Sequence, residues 1–173
     1  WGDCEFDKLY FKFIDTYEFQ RMRNMKQLGN SYYIFSSASG NRFEHSIGVG
    51  YIANYFAKLL QIKFPKIVTD QHVKLLTIAG LVHDIGHGPF SHVFDGMFGK
   101  EYNHESRSML ILRRMCLKYM IPLKPNELTI IEYIISPPED KKDFWLFQII
   151  SGDIDVDRMD YILRDCKYSG MRY

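Results

Sequence analysis

The sequence predicts an all-α fold, on three observations. Apolar residues recur at three- and four-residue intervals through most of the chain. Glycine and proline clusters such as Gly86-x-Gly88-Pro89 and Pro137-Pro138 fall where those periodic stretches end. Extended structure is suggested only near residues 30–36, where a short β-hairpin is the most that fits. A chain of 173 residues can close one core, burying roughly two-thirds of its unfolded surface. There is no internal repeat or low-complexity tract, so residues 1–173 read as one domain. Because the chain begins at Trp1 rather than Met, it also reads as a fragment of something longer.

Thr16 is the expected N-cap of a first helix, in which Phe19, Met22 and Met25 share a face and Gly29 closes the end. Between Gly29 and Gly40, the run Tyr32-Tyr33-Ile34-Phe35 suits a short strand or hairpin. The loop after it delivers Arg42 and His45. From about Glu44 to Phe64, Ile47, Ile52, Phe56, Leu59 and Leu60 describe a helix that Pro65 stops. Asp70 should cap the next, whose Val73, Leu76, Ile78, Leu81 and Val82 leave so little polar face that it must be central. Further helices are expected over His104–Met120, Pro125–Ile135, Asp143–Ile150 and Asp155–Lys167.

Composition excludes some functions. With 22 basic against 21 acidic residues, the formal charge is +1, so a nucleic-acid partner is possible but not indicated. No apolar run approaches the ~20 residues of a membrane span. Cys4, Cys116 and Cys166 are odd in number and widely spaced, which suggests neither a disulfide framework nor a thiolate zinc site. A reducing intracellular compartment, cytoplasmic or nuclear, fits them.

The chemistry lies in the histidines. Five of six fall in Asn41-Arg42-Phe43-Glu44-His45-Ser46, His83-Asp84-Ile85-Gly86-His87-Gly88-Pro89-Phe90-Ser91-His92 and His104-Glu105. Adjacent helical residues point about 100° apart, so His83 and Asp84 can share an ion only at a helix end, which the glycines supply. With His45 and Asp157 they make a set of two nitrogens and two or more oxygens, suited to Zn, Fe, Mn or a similar divalent ion with positions left for water. A bare His-Asp pair also occurs by chance, and His72, outside every motif, should be solvated. Asp153 and Asp155 read as caps for the last helix. On that helix Asp157, Tyr161, Arg164 and Asp165 share a face. The plainer alternative is a solvated stripe in which Asp160 pairs with Arg164.

Taken together, Asn41-Arg42-Phe43-Glu44-His45-Ser46-x-Gly48-Val49, the His83–His92 string and Asp155-x-Asp157-Arg158-x-Asp160-Tyr161 resemble the HD-domain deoxynucleoside triphosphate triphosphohydrolases. The resemblance is greatest to the catalytic core of the branch that carries a SAM domain beside its HD domain, and Asp15-Thr16-x-x-Phe19-Gln20-Arg21 extends it toward the N-terminus. It implies that His45, His83, Asp84 and Asp157 hold a divalent transition metal, with Mg accompanying the triphosphate. It further implies that His92, held by Asp95, protonates the leaving 5′ oxygen and that His87 and His104 line the α-phosphate. Arg42 and Arg158 would meet phosphates, and Gln27, Leu28, Tyr161 and Asp165 the sugar and base. Asp15, Gln20 and Arg23 match a site for a GTP or dGTP activator, and a homo-oligomer is implied for the full-length protein. Arg158 stands where the nearest branch has Lys, and Asp3 where it has His. HD-type sites also serve other phosphoesters, and a nucleotide-gated nucleic-acid-binding module is the non-enzymatic alternative.

Overall fold

The computed structural model describes residues 1–98 and 102–171, and they form an all-α assembly. The helices are α1 (Lys8–Ile14), α2 (Tyr17–Gln20), α3 (Arg42–Lys63), α4 (Asp70–Val82), α5 (His92–Phe98), α6 (His104–Lys118), α7 (Pro125–Ile135), α8 (Trp145–Ser151) and α9 (Val156–Ser169). Short 3₁₀ turns cover Arg21–Asn24, Gly29–Tyr33 and Glu139–Lys141.

The pair α3 and α4 is the centre of the fold. Leu75, Leu76, Ile78, Ala79, Leu81 and Val82 of α4 are all fully buried, as its lack of a polar face requires. The two helices approach closely because a Cβ on Gly80 would stand 3.1 Å from the Gly50 Cα and from the Val49 carbonyl oxygen. Helices α1, α7 and α8 pack on the remaining sides of α4, while α9 lies across α3 and α8.

Most helix ends fall where capping chemistry places them. The Thr16 hydroxyl accepts from Phe19 N, Asn41 from Glu44 N, and Asp155 from Arg158 N. The differences are local. Thr69 rather than Asp70 caps α4, because the His72 ring accepts the Thr69 N–H at 3.1 Å and closes a reciprocal cap. His72 is therefore half-buried, with its ring edge-on to Trp145, and not solvated. The first helix gives way to a 3₁₀ turn after Gln20 instead of running to Gly29. The expected hairpin near 30–36 is absent among the described residues. A 3₁₀ turn holds Tyr32 and Tyr33, whose rings stack at 4.4 Å, and an isolated bridge joins Lys26 to Asn41. Period-2 patterning was too short there to outweigh the local turn chemistry of Gly29 and the serines. Helices α1 and α5 had no expectation at all.

Candidate functional site

The site lies where the start of α3, the end of α4, the start of α6 and the first turns of α9 converge. Asn41 caps α3, so Arg42 and His45 sit on its first turns and face inward, 4% and 1% exposed. His83 is the C-cap of α4, and the chain turns tightly after it, with His87 N donating to Asp84 O at 3.0 Å. This turn is how His83 and Asp84 come to face one point. Ser108 on α6 secures it, donating to His83 O at 2.6 Å and accepting from Gly86 N at 2.8 Å. Gly86 must lack a side chain, since a Cβ would stand 2.1 Å from the His104 carbonyl oxygen.

His45, His83, Asp84 and Asp157 meet as the sequence suggested. His45 Nε2 lies 2.9 Å from Asp157 Oδ1 and 3.5 Å from Asp84 Oδ2, while His83 Nε2 is 3.4 Å from Asp157 and 3.5 Å from Asp84. Both rings have their far nitrogen occupied: His45 Nδ1 by Asp160 and His83 Nδ1 by the Gly80 carbonyl, each at 2.8 Å. Their Nε2 atoms are thus turned to the same place, and that of His83 is buried without a hydrogen-bond partner. His45, His83 and Asp84 bring ligand atoms within 4.8 Å of one another, Asp157 Oδ1 lies 2.9 and 3.4 Å from the two Nε2 atoms, and this set, its rings oriented from behind, fits a divalent transition metal.

The charges balance locally. Burial by itself would lower the His45 pKa, but the Asp157, Asp160 and Asp84 carboxylates raise it to about 9. For His83, too, burial is outweighed by Asp84 and Asp157, and the shift is upward. Burial opposes the charge on Asp84, yet His83 and Arg42 hold it well below the carboxylate range. Arg42 pairs with Asp84 and donates from Nε to Ser91 Oγ at 2.9 Å. Ser91 and its neighbour Phe90 adopt φ of 53° and 61°, a strained setting for residues with side chains.

A second row stands beside these four residues. His87 and His104 stack with ring centroids 3.9 Å apart, and His92 lies edge-on to both, at 5.1 and 5.4 Å. Burial lowers the His87 pKa to about 4, so its neutral ring faces Asp84 through Nε2 at 3.2 Å and keeps a buried Nδ1 without a partner. Asp95 holds His104 rather than His92: its Oδ2 is 2.9 Å from His104 Nδ1 and 3.7 Å from His92 Nδ1. The reason is that Arg107 on α6 engages the other oxygen and draws the carboxylate toward that helix. His92 remains exposed on the first turn of α5.

The cleft between the two groups, about 380 Å³, is lined by Gln27, Leu28, Arg42, His92 and Tyr161 among others. Chains matching the HD domain pattern do so over residues 42–165 here, a span that contains every residue of both groups. The chain belongs to the HD-domain family. Among curated relatives, the protein named deoxynucleoside triphosphate triphosphohydrolase SAMHD1 from Bos taurus is 38% identical over 205 residues, covering 99% of this chain and 35% of that protein. Its Mus musculus counterpart is 40% identical over 203 residues, covering 99% and 31%. A putative HD domain-containing protein, L394, from Acanthamoeba polyphaga mimivirus is 40% identical over 178 residues, covering 90% and 39%. The chain thus spans about a third of the length of these relatives.

Of the other expected residues, Gln27 lines the cleft, whereas Arg158, Asp165, Asp15, Gln20 and Arg23 do not. Arg158 is exposed and lines a separate cavity of about 390 Å³, with His83, Asp157, Glu105 and Lys142. Asp165 is half-buried, and burial raises its pKa; its Oδ1 and the Gln27 Oε1 are buried acceptors without partners. Arg23 donates to Gln20 Oε1 at 2.7 Å and covers the Phe43 ring, while Asp15 is the exposed C-cap of α1. Sequence reasoning missed Ser91, Arg107, Ser108 and the burial of Asp160. Ser91 and Asp160 carried a signal, since both stand in the motif strings that contain His92 and Asp157. No helix among the described residues is long and apolar enough to cross a membrane.

Proposed function

We propose that residues 1–173 form one catalytic domain of a metal-dependent hydrolase that splits deoxynucleoside triphosphates into deoxynucleoside and inorganic triphosphate. The observation that carries the reading is the close placement of His45, His83, Asp84 and Asp157 beside a row of three further imidazoles, with His45, Asp84, Asp157 and all three of that row lining one cleft. The names of the SAMHD1 relatives supply the substrate class.

His45, His83, Asp84 and Asp157 would hold the metal. When bound, such an ion lowers the pKa of a coordinated water and stabilises charge on phosphoryl oxygens. Arg42, fastened through Nε and one terminal nitrogen, presents its remaining donors to a phosphoryl oxygen. The neutral ring of His87 and the ring of His104, each oriented by a carboxylate, flank the same position. His92 stands at the rim, where an imidazole can pass a proton to the departing 5′ oxygen. Gln27 and Asp165 offer unpartnered acceptors suited to a sugar hydroxyl, and Leu28 and Tyr161 supply wall for the nucleoside. Arg158 and Lys142 line the second cavity beside Glu105, Asp155 and Asp157, and these two cations are the ones there that could meet distal phosphates.

Asp15, Gln20 and Arg23 form the proposed activator site. A carboxylate can accept from N1 and N2 of guanine, a donor pair that adenine lacks, and Gln20 and Arg23 already meet beside it. GTP or dGTP bound there would favour a more active homo-oligomer of the full-length protein.

Product chromatography after incubation of the full-length protein with each dNTP and a divalent metal, with and without GTP, tests these readings. Deoxynucleoside with triphosphate is expected. Release of monophosphate or pyrophosphate would assign the site to another phosphoester reaction, and identical rates without GTP would remove the activator site alone.

A further inference from the structure

Asp160 is wholly buried on α9, three residues beyond Asp157. Its Oδ2 lies 2.8 Å from His45 Nδ1 and accepts from Arg164 Nε at 2.8 Å. Its Oδ1 accepts from Arg164 Nη2 at 2.8 Å and from the Trp1 indole N–H. Four donors therefore occupy the carboxylate, which is what an ionised group needs to be kept out of water. Room for it comes from α3, where a Cβ at Gly48 would stand 1.9 Å from Asp160 Oδ1 and 2.6 Å from Arg164. Glycine inside a helix is otherwise a destabilising choice.

The Asp160–Arg164 pair is internal to α9, at i and i+4, and by itself needs no histidine. Here the carboxylate also meets the one His45 nitrogen that faces away from Asp84 and Asp157. A carboxylate in that place fixes the hydrogen on Nδ1, leaves Nε2 as the lone-pair donor, and makes the ring a stronger ligand.

We propose that Asp160 is a positioning residue for the metal centre, acting through His45, with Arg164 holding the carboxylate and Gly48 making space for it. The inference rests on the reading of His45, His83, Asp84 and Asp157 as metal ligands. Loss of such a partner typically weakens metal binding 10- to 100-fold.

The test compares the parent protein with Asp160→Asn, which keeps the shape and removes the charge. A control is Glu127→Gln, which breaks a different buried ion pair, with Lys74, outside the cleft. Cobalt(II) and zinc affinities are measured by chelator competition, the visible spectrum of the cobalt form is recorded, and thermal midpoints of the metal-free proteins are compared. Asp160→Asn should bind both metals 10- to 100-fold more weakly and shift the cobalt bands, whereas Glu127→Gln should lose stability alone. If Asp160→Asn matches the parent in affinity and spectrum while only its thermal midpoint falls, Asp160 is a fastener and the inference is overturned. A parent that binds neither metal would instead sink the ligand reading, and this inference with it.

Discussion

Metal and proton should compete for His45, and the competition is large enough to measure. In the metal-free protein the Asp157, Asp160 and Asp84 carboxylates outweigh burial and keep His45 protonated up to about pH 9. A metal can take Nε2 only after that proton leaves. Apparent affinity should then fall tenfold for each pH unit below the proton's pKa. At pH 7, two units below about 9, the loss is about 100-fold, or about 2.7 kcal/mol at 1.36 kcal/mol per unit. His83 is shifted upward as well, so a second proton would steepen the slope. Stability of the metal-free form should run the other way. The folded-state pKa of His45 lies above its ordinary 6.5, so that contribution is full below 6.5 and is lost as pH rises through about 9. Asp84 and Asp157 are depressed, so their contributions are present above the ordinary carboxylate range and lost in acid. Chelator competition with zinc from pH 6.5 to 9, with calorimetry in buffers of different ionisation heat, reads the effect directly. An affinity that is flat across that range, with no proton released on binding, would refute the reasoning.

Three further outcomes are expected. His92→Ala should retain metal yet lose about 10²- to 10⁴-fold in turnover, because an exposed proton donor need not be a ligand; undiminished turnover would remove that role. Gly86→Ala places a methyl 2.1 Å from the His104 carbonyl and 2.4 Å from Ser108 N, so α6 must shift, at a cost of about 1–3 kcal/mol with loss of turnover. An unchanged thermal midpoint would contradict it. Leu76→Ala, at a fully buried position on α4, should cost about 2–5 kcal/mol in urea unfolding while the folded fraction binds metal like the parent.

The sequence disclosed what depends on period and on motif. Helix α7 begins at Pro125 and ends at Ile135 as expected, because proline at the first position and Pro137-Pro138 beyond the end leave little freedom. The convergence of His83 and Asp84 was legible because a His-Asp pair followed by glycines can face one point only at a helix end. What stayed hidden was any partner chosen by tertiary approach. The family resemblance implied Asp95 as the partner of His92, but Arg107 and His104, on another helix, claim both its oxygens. Asp160 and Arg164 have the spacing of a solvated pair, and only the placement of α9 against Gly48 buries the carboxylate. Helix α1 was missed because seven residues hold too few turns for a periodic signal.

The two halves of the site are held by different means, and this decides how they should fail. Each proposed ligand sits within a turn or two of a helix end on α3, α4 or α9, the most heavily packed part of the fold. Its histidines are also oriented from behind by Asp160 and by the Gly80 carbonyl. Such groups cannot move without disturbing the core, so damage there should remove metal and turnover together. The imidazole row depends instead on α5, on the strained Phe90–Ser91 corner and on contacts between Asp95 and α6. His92 has no backbone or core partner of this kind among the described residues and is exposed, so its position can change while the proposed ligands stay in place. Substitutions on α5 should therefore lower turnover at constant metal affinity, and that separation distinguishes a proton-delivering row from an extension of the metal site.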